Sequence, residues 1–367
     1  MSEHVLIVGG GIAGLTLAAA LDPSRFRVTL VEERPERAGA GTVLALWRGA
    51  MADLDRLGVG ERIRAASITS DHGTLRDSHG GVLARHRVPR LCFAPRPELV
   101  AAFEAVLPTT VTRLTCEVTD PRALATEVGA DLVVGADGVR SVCRQACLRP
   151  SGVLAGRGFV ARSSHLNPRP VVTEWIALRG HLPGRRPQGP TEWWGPGGVF
   201  GVTPGPRGAA WFCAVRTDQP DRRLQAPSLE GALALATNRF GDWDPLLQQV
   251  LAEVGGEADV QRILLAPPLR RSAADGLVLI GDAAHGMAPN LGRGANEAIR
   301  DATVLAAMLH RHGAKGGPLA FPRRRHATTQ VLRLASSVAL RTATTSRLAG
   351  VRDHVLRMLP QQAPPTG

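Results

Sequence analysis

The chain has 367 residues, of which 44% are hydrophobic and 21% charged, with a formal net charge of +12 at pH 7. That balance excludes an intrinsically disordered chain, and the length suffices for two domains with a sizeable core. No apolar stretch reaches the roughly 20 residues of a membrane span, and the apolar run from Val5 has neither a basic leader nor a cleavage site, so a cytoplasmic protein is expected.

The first predicted element is Val5-Leu6-Ile7-Val8, an unbroken apolar run of the kind a buried parallel strand shows. Gly9, Gly10, Gly11 and Gly14 follow, and residues 12–21 read as an Ala- and Leu-rich helix stopped near Asp22-Pro23. Arg27 to Val31 is a second strand, which completes a βαβ half-unit. Asp131-Leu132-Val133-Val134 is another buried strand and runs into Gly-Ala-Asp-Gly at 135–138. Residues 158–265 are rich in Pro, Gly and Trp, with short apolar runs such as 199–202 and 209–215. They read as a mostly antiparallel sheet, which residues 70–90 join. Leu277 to Ile280 is a further buried strand ending in Gly281-Asp282, after which Ala295, Ala298, Ala302, Leu305 and Leu309 share one helix face. The chain reads as helical from about 318 to 360, and residues 361–367 as a frayed tail. There is no internal repeat.

The positive charge is almost wholly arginine, since Lys315 is the only lysine. Apart from Arg323-Arg324-Arg325 the arginines are scattered, with no stacking module, so they fit attraction for anionic cofactors and no nucleic-acid partner is predicted. Cys92, Cys116, Cys143, Cys147 and Cys213 are odd in number and lack a CxxC pair, which reads as buried reduced thiols without a metal site. The absence of tyrosine leaves histidine or a carboxylate as the only side chains able to serve as a general base, if the chemistry uses one.

The chemistry-bearing signal begins at Gly9-x-Gly11-x-Ala13-Gly14. The first glycine permits the tight turn, the second lets backbone approach a pyrophosphate, and the third lets helix pack on strand. The helix N-terminus offers free N–H groups and a positive dipole end to phosphates. Glu32 closes the second strand, where a carboxylate accepts ribose hydroxyls and repels a 2′-phosphate, so the turn suits the ADP half of FAD or NAD. Glu33 and Arg34 continue that edge and are candidate cofactor contacts with it.

Two more motifs follow. One runs from Asp131 through Asp137, Gly138, Ser141 and Arg144; the other contains Gly281, Asp282, His285, Pro289, Gly292, Arg293, Gly294, Ala295, Asn296 and Asp301. With these three motifs in this order, the chain resembles the group A, para-hydroxybenzoate hydroxylase-like flavoprotein monooxygenases over nearly its whole length. The resemblance implies an α/β fold: a Rossmann-like FAD-binding domain with a parallel sheet, an interleaved antiparallel substrate domain, and C-terminal helices. The expected boundaries are 1–69, 91–157 and 266–317 for the FAD domain, 70–90 and 158–265 for the substrate domain, and 318–360 for the helical segment.

By the same resemblance, Arg96 contacts FAD near its diphosphate, and Asp137, Gly138, Ser141 and Arg144 lie at the pyrophosphate. Asp282 would accept a hydrogen bond from a ribityl hydroxyl. Gly292, Gly294, Ala295 and Asn296 would bring a helix N-terminus to the flavin carbonyl O2 and stabilise negative charge on a reduced ring. Pro289 would stiffen the loop over the reacting face. The chain departs from many relatives at Trp47-Arg48-Gly49 and at Arg293, and both arginines are candidate catalytic groups beside the ring. Trp193, Trp194 and Trp211 are either core or substrate-stacking groups, and Trp243 reads as packing.

The implied reaction has NADPH or NADH reduce FAD, and O2 then gives a flavin C4a-hydroperoxide that hydroxylates or epoxidises an electron-rich aromatic, indole or polyketide-like substrate. His72, His165 and His181 are base candidates by region, and His285 reads as a loop-positioning residue. A flavin oxidase, dehydrogenase or reductase on the same fold, and a non-catalytic FAD-binding protein, are the alternative readings.

Overall fold

The computed structural model describes residues 2–37, 43–148, 168–217, 227–254, 258–347 and 349–358. His165 and the expected tail at 361–367 lie outside the described residues.

The apolar run at the N-terminus forms β1 (Glu3–Val8), with Val5, Leu6 and Ile7 fully buried. Burying such side chains stabilises the fold by roughly 1.5–3 kcal/mol each, which fixes this strand at the centre of the first sheet. β2 (Phe26–Val31), β6 (Thr112–Leu114), β7 (Leu132–Gly135) and β14 (Leu277–Leu279) complete the parallel part, and β13 (Ala273–Ala274) adds an antiparallel edge. The order is β13-β14-β7-β1-β2-β6. β1 therefore has β2 on one side, in register from Glu3 with Phe26, and β7 on the other, from Val5 with Leu132.

α1 (Ile12–Ala20), α4 (Arg96–Val106) and the first limb of a long C-terminal helix cover one face of this sheet; α5 (Pro121–Val128) and α6 (Val142–Leu148) cover the other. α2 (Arg48–Arg56) and α3 (Gly60–Ala65) join the first group. α5 is bounded by strong local signals. Asp120 accepts from the amides of Arg122 and Ala123, Pro121 opens the helix, and Gly129 (φ 67°) closes it.

The second sheet has eight strands in the order β12-β8-β11-β10-β9-β4-β5-β3. They are β3 (Val43–Leu46), β4 (Ile68–Asp77), β5 (Val82–Pro95), β8 (Val171–Leu182), β9 (Thr191–Gly195), β10 (Gly198–Gly205), β11 (Gly208–Arg216) and β12 (Asp259–Leu265). All pairs are antiparallel except β4 with β9. Trp193, Phe200, Trp211 and Cys213 point to one face, where α7 (Leu229–Phe240) and α8 (Pro245–Ala252) cover them. Trp243 packs edge-on against Phe240, with ring centroids 4.8 Å apart.

This sheet reaches further into the chain than residues 70–90 and 158–265. Val43–Leu46 and the stretch to Pro95, expected within the FAD domain, pair with each other at its edge. The C-terminal helix also begins earlier than 318. α10 runs Gly294–Thr344 and is kinked at Gly313 (φ 69°, ψ −179°), where the Glu3 carboxylate accepts from the amide of Ala314 at 2.9 Å and caps the second limb. Pro318 and Pro322 lie inside the second limb, where each removes a backbone donor from the helix. α9 (Asp282–His285) and α11 (Ala349–Met358) complete the helices among the described residues. None of these helices is long and apolar enough to cross a membrane.

Candidate active site

Three strand ends meet at one place because each ends in a turn that only glycine can make there. Gly9 has φ +109°, and a Cβ on it would lie 2.3 Å from the carbonyl oxygen of Ala136, so the turn after β1 and the turn after β7 touch. A Cβ on Gly14 would lie 1.9 Å from the carbonyl oxygen of Gly9, which presses α1 onto the same turn. Gly281 (φ +58°) brings the turn after β14 onto α1, since its Cβ would lie 3.0 Å from that of Ala13.

Gly11 differs from its neighbours. It caps α1 in extended conformation with no side-chain hydrogen bond, and a Cβ there would meet nothing within 4 Å. The first-turn amides, on Ile12, Ala13 and Gly14, thus have no capping side chain, and the open space at Gly11 lies beside them. Glu32 borders that space. One carboxylate oxygen accepts from the amide of Gly10 at 2.7 Å and the other from the amide of Arg34 at 2.9 Å. The carboxylate is held by backbone and keeps free lone pairs for hydroxyl donors. Glu33 and Arg34 are exposed and pair with each other at 3.3 Å, outside this turn.

At the end of β7, one oxygen of Asp137 accepts from the amide of Cys143 at 3.0 Å; the other is buried without a partner among the described residues. Gly138 (φ +72°) also borders open space. Ser141 and Arg144, expected at the pyrophosphate, both make hydrogen bonds within the protein. Ser141 is buried and its hydroxyl accepts from the amide of Arg144 at 2.8 Å. Arg144 is wholly buried and donates to the carbonyls of Val139, Pro168 and Ala283. Its nitrogens tie the β7 turn to α9, so the residue braces the site, and burial pushes its pKa down.

Asp282 opens α9 with an exposed side chain, 3.9 Å from where a Cβ of Gly294 would stand. Partly buried Arg96, at the start of α4, feels the charges of Arg179, Asp282 and Asp259; burial is the main reason its pKa is lowered. The segment from Ala288 to Gly294 carries exposed Pro289 in a single 3-10 turn, closed by Gly292 (φ +58°). Asn296, a candidate cofactor contact, is buried, and its side chain is clamped. Its amide oxygen accepts from the Trp47 amide at 2.8 Å, and its nitrogen donates to Ala45 at 2.9 Å and Gly292 at 2.8 Å. It locks the β3–α2 turn onto the loop that carries Pro289. Arg293 lies over the Trp47 ring at 5.3 Å and bonds Glu297 at 2.7 Å, while Arg48 is exposed at the start of α2. Ala295 is half-buried in the first turn of α10.

Beneath this loop lies a buried ionic chain of which only single members stood out in the sequence. His285 Nε2 is 2.6 Å from Asp301, whose carboxylate also accepts from the Gly281 amide at 3.0 Å and from Arg325 at 2.7 Å. Arg325 reaches on to Glu297 at 2.5 Å. Burial alone would lower the pKa of His285, but the Asp301 charge and hydrogen bond outweigh it, and the net shift is upward. Burial alone would raise Asp301, yet His285 and Arg325 hold it below the usual carboxylate range. The local signal for the chain was faint, because Arg325 sits in a run of three arginines and only its burial separates it from Arg323 and Arg324. Of the histidines expected by region, His72 lies beside Asp71 at 3.2 Å and His181 is exposed at the end of β8.

The donor set fits a flavin dinucleotide. Uncapped helix amides suit a pyrophosphate, backbone-held Glu32 and exposed Asp282 suit hydroxyls, and the N-terminus of α10 suits a carbonyl that gains negative charge.

Two family profiles match the chain, an NAD(P)-binding Rossmann-like domain over residues 7–46 and an FAD binding domain over residues 266–321. The chain is 31% identical over 348 residues to the 3-amino-4-hydroxybenzoate 2-monooxygenase PtmB3 of Streptomyces platensis, covering 86% of this chain and 81% of the relative. It is 28% identical over 333 residues to the aurachin C monooxygenase/isomerase of Stigmatella aurantiaca, covering 83% and 80%. Among solved structures, a salicylate hydroxylase substrate complex superposes with a TM-score of 0.77 at 22% identity, covering 98% of this chain and 93% of that one. Klebsiella pneumoniae HpxO, complexed with FAD and uric acid, gives 0.77 at 19% identity, covering 97% and 92%.

Proposed function

The chain belongs to the para-hydroxybenzoate hydroxylase-like family of FAD-dependent monooxygenases, and from that premise we propose that it hydroxylates an electron-rich aromatic small molecule held between the Pro289 loop and the eight-stranded sheet. It is an oxidoreductase with FAD as cofactor and NAD(P)H as cosubstrate. Bound FAD supplies hydride acceptance and O2 activation.

The protein's part is to bind, orient and exclude water. In this reading the amides of Ile12, Ala13 and Gly14 hold the pyrophosphate, Glu32 takes the ribose hydroxyls, and Asp282 takes a ribityl hydroxyl. Arg96 lends positive charge along the diphosphate, and Gly138 leaves room for it. The first turn of α10, from Gly294 to Asn296, faces the flavin carbonyl, and Asn296 fixes that turn through its three hydrogen bonds. Pro289 limits the motion of the loop above the substrate. Arg293 is already shared between Trp47 and Glu297, so it orders the loop more than it supplies a free charge. Exposed Arg48 is a secondary contact at the same edge. A cytoplasmic setting agrees with the NAD(P)H requirement and with five unpaired cysteines.

The observation that carries this reading is the contact of three glycine-punctuated strand ends around the uncapped start of α1. The test is to purify the chain, measure its flavin content, and screen aromatic compounds for stimulated NAD(P)H oxidation with mass analysis of the product. Product with one added oxygen supports the reading. Substrate oxidised without added oxygen favours the oxidase or dehydrogenase alternative, and a flavin that NAD(P)H never reduces favours a non-catalytic protein.

A further inference from the structure

One carboxylate in the second sheet is used by nothing described so far. Glu192 lies on β9, between Thr191 and Trp193. Strand alternation sends Trp193 to the face covered by α7 and α8, and Glu192 with Trp194 to the opposite face. Register places Leu75, Gly201, Phe212 and Arg179 in one row with Glu192 on that face.

That face looks towards the flavin domain. Trp194 and Phe212 pack against a cluster that joins Trp175, Val199 and Ala214 to Ala288, the residue before Pro289, and to Leu340 and Ala343 of α10. Arg179, in the same row, is close enough to Arg96 to influence it electrostatically. Phe212 lies across Gly201, where a Cβ would come within 2.2 Å of the ring, so the row presents a flat aromatic floor beside the carboxylate.

Glu192 is half-buried. Among the described residues its side chain has one hydrogen-bond partner, the indole N–H of Trp194 at 3.0 Å. Among the described residues no cation pairs with it. Arg179 is bonded to Asp259 at 2.7 Å and stands three strands away, about 14 Å at ~4.8 Å per strand. Asp77, beyond Trp194, is paired with Arg357 at 2.6 Å, and His86, opposite Gly73, shares this face but stands two strands away on β5. A half-buried carboxylate with one donor has unused acceptor capacity.

We propose that Glu192 is the group that recognises the substrate, accepting a hydrogen bond from an O–H or N–H on the aromatic ring and taking that proton as the ring is oxidised. The substrate O–H or N–H bond breaks, the proton passes to the free carboxylate oxygen, and the bonding pair stays on the substrate heteroatom and enriches the ring for electrophilic attack. The carboxyl returns the proton to the product heteroatom. Burial raises the pKa of Glu192, which brings a carboxylate closer to the range useful for proton exchange. The substrate class is therefore a phenol, aminophenol or N–H heteroaromatic rather than an ether or a bare hydrocarbon. This rests on the monooxygenase reading above.

The test uses FAD-loaded protein with 2-naphthol and 2-methoxynaphthalene as paired probes. Wild type is expected to bind the naphthol at least about tenfold more tightly, the loss of one good hydrogen bond, with a pH dependence of binding set by one ionisation. Glu192→Gln keeps an acceptor for Trp194, so its melting temperature should hold, while the preference and the pH dependence vanish. Glu192→Asp should retain the pH dependence with weaker binding, and it carries the test if the Gln variant fails to fold. Wild type that does not prefer the naphthol, a Gln variant that ranks the probes as wild type does, or loss of preference only alongside loss of stability would each overturn the assignment. Protein that holds no FAD, or flavin that NAD(P)H never reduces, would instead sink the monooxygenase reading.

Discussion

Replacing Gly11 by valine separates cofactor binding from folding in a way few single changes can. Gly11 has φ −77° and ψ −170°, a conformation any residue adopts, and its Cβ would point into open space. The apoprotein should lose no more than about 1 kcal/mol, since valine caps a helix less well than glycine but meets no clash here. The valine methyls would occupy the approach to the first amides of α1. If two charge-assisted hydrogen bonds to phosphate are lost, at about 1.5–3 kcal/mol each, FAD affinity falls by roughly 100-fold to 10,000-fold. The same change at Gly14 should unfold the domain, because its Cβ would overlap the Gly9 carbonyl at 1.9 Å. The assay pairs thermal melting of the deflavinated protein with fluorescence titration by FAD. Full FAD affinity in Gly11→Val, or a melting temperature that falls as far as in Gly14→Val, would refute the reasoning.

Three further outcomes are expected. Asp282→Ala should weaken FAD by about 1–3 kcal/mol, from loss of a charged acceptor, and an unchanged dissociation constant would contradict the assigned contact. Arg325→Met should cost about 3–5 kcal/mol in denaturant unfolding, since it strands the buried carboxylates of Glu297 and Asp301; a loss below about 1 kcal/mol would mean the ionic chain is not closed. His285 has a raised folded-state pKa, so its contribution to stability is fully present below its unfolded value of about 6.5 and is lost as pH rises through the folded value. The stability gap between wild type and His285→Gln should thus be largest on the acid side of neutrality and narrow as pH rises above it. A gap that widens with pH would show that the histidine is buried neutral.

What the sequence discloses about this fold follows from the range over which each constraint acts. The turn at Gly9 to Gly14 is legible because backbone geometry and helix packing demand glycine at fixed spacing, and the apolar runs at Val5, Leu132 and Leu277 announce buried parallel strands. The edge of the second sheet is not legible, since Val43–Leu46 becomes a strand by pairing with Cys92–Pro95, far along the chain. The long helix α10 hides behind Gly313, Pro318 and Pro322, which punctuate the sequence as a loop would, while packing and the Glu3 cap carry the helix through them. Ser141, Arg144 and Asn296 carry the right motif spacing, yet their side chains turn inward to brace backbone carbonyls and amides, an outcome set by neighbours up to 251 residues away. Glu192 gave no signal of its own, because only the pairing of β9 with β4 and β10 shows which face it shares.

The most direct measurement is a crystal structure of the chain with its flavin bound. The account places the pyrophosphate on the amides of Ile12 to Gly14, the ribose at Glu32, and the ring system between the Pro289–Gly294 loop and the Phe212–Glu192 face of the sheet. Density for FAD that leaves the start of α1 untouched, or a ring directed away from that loop, would contradict it.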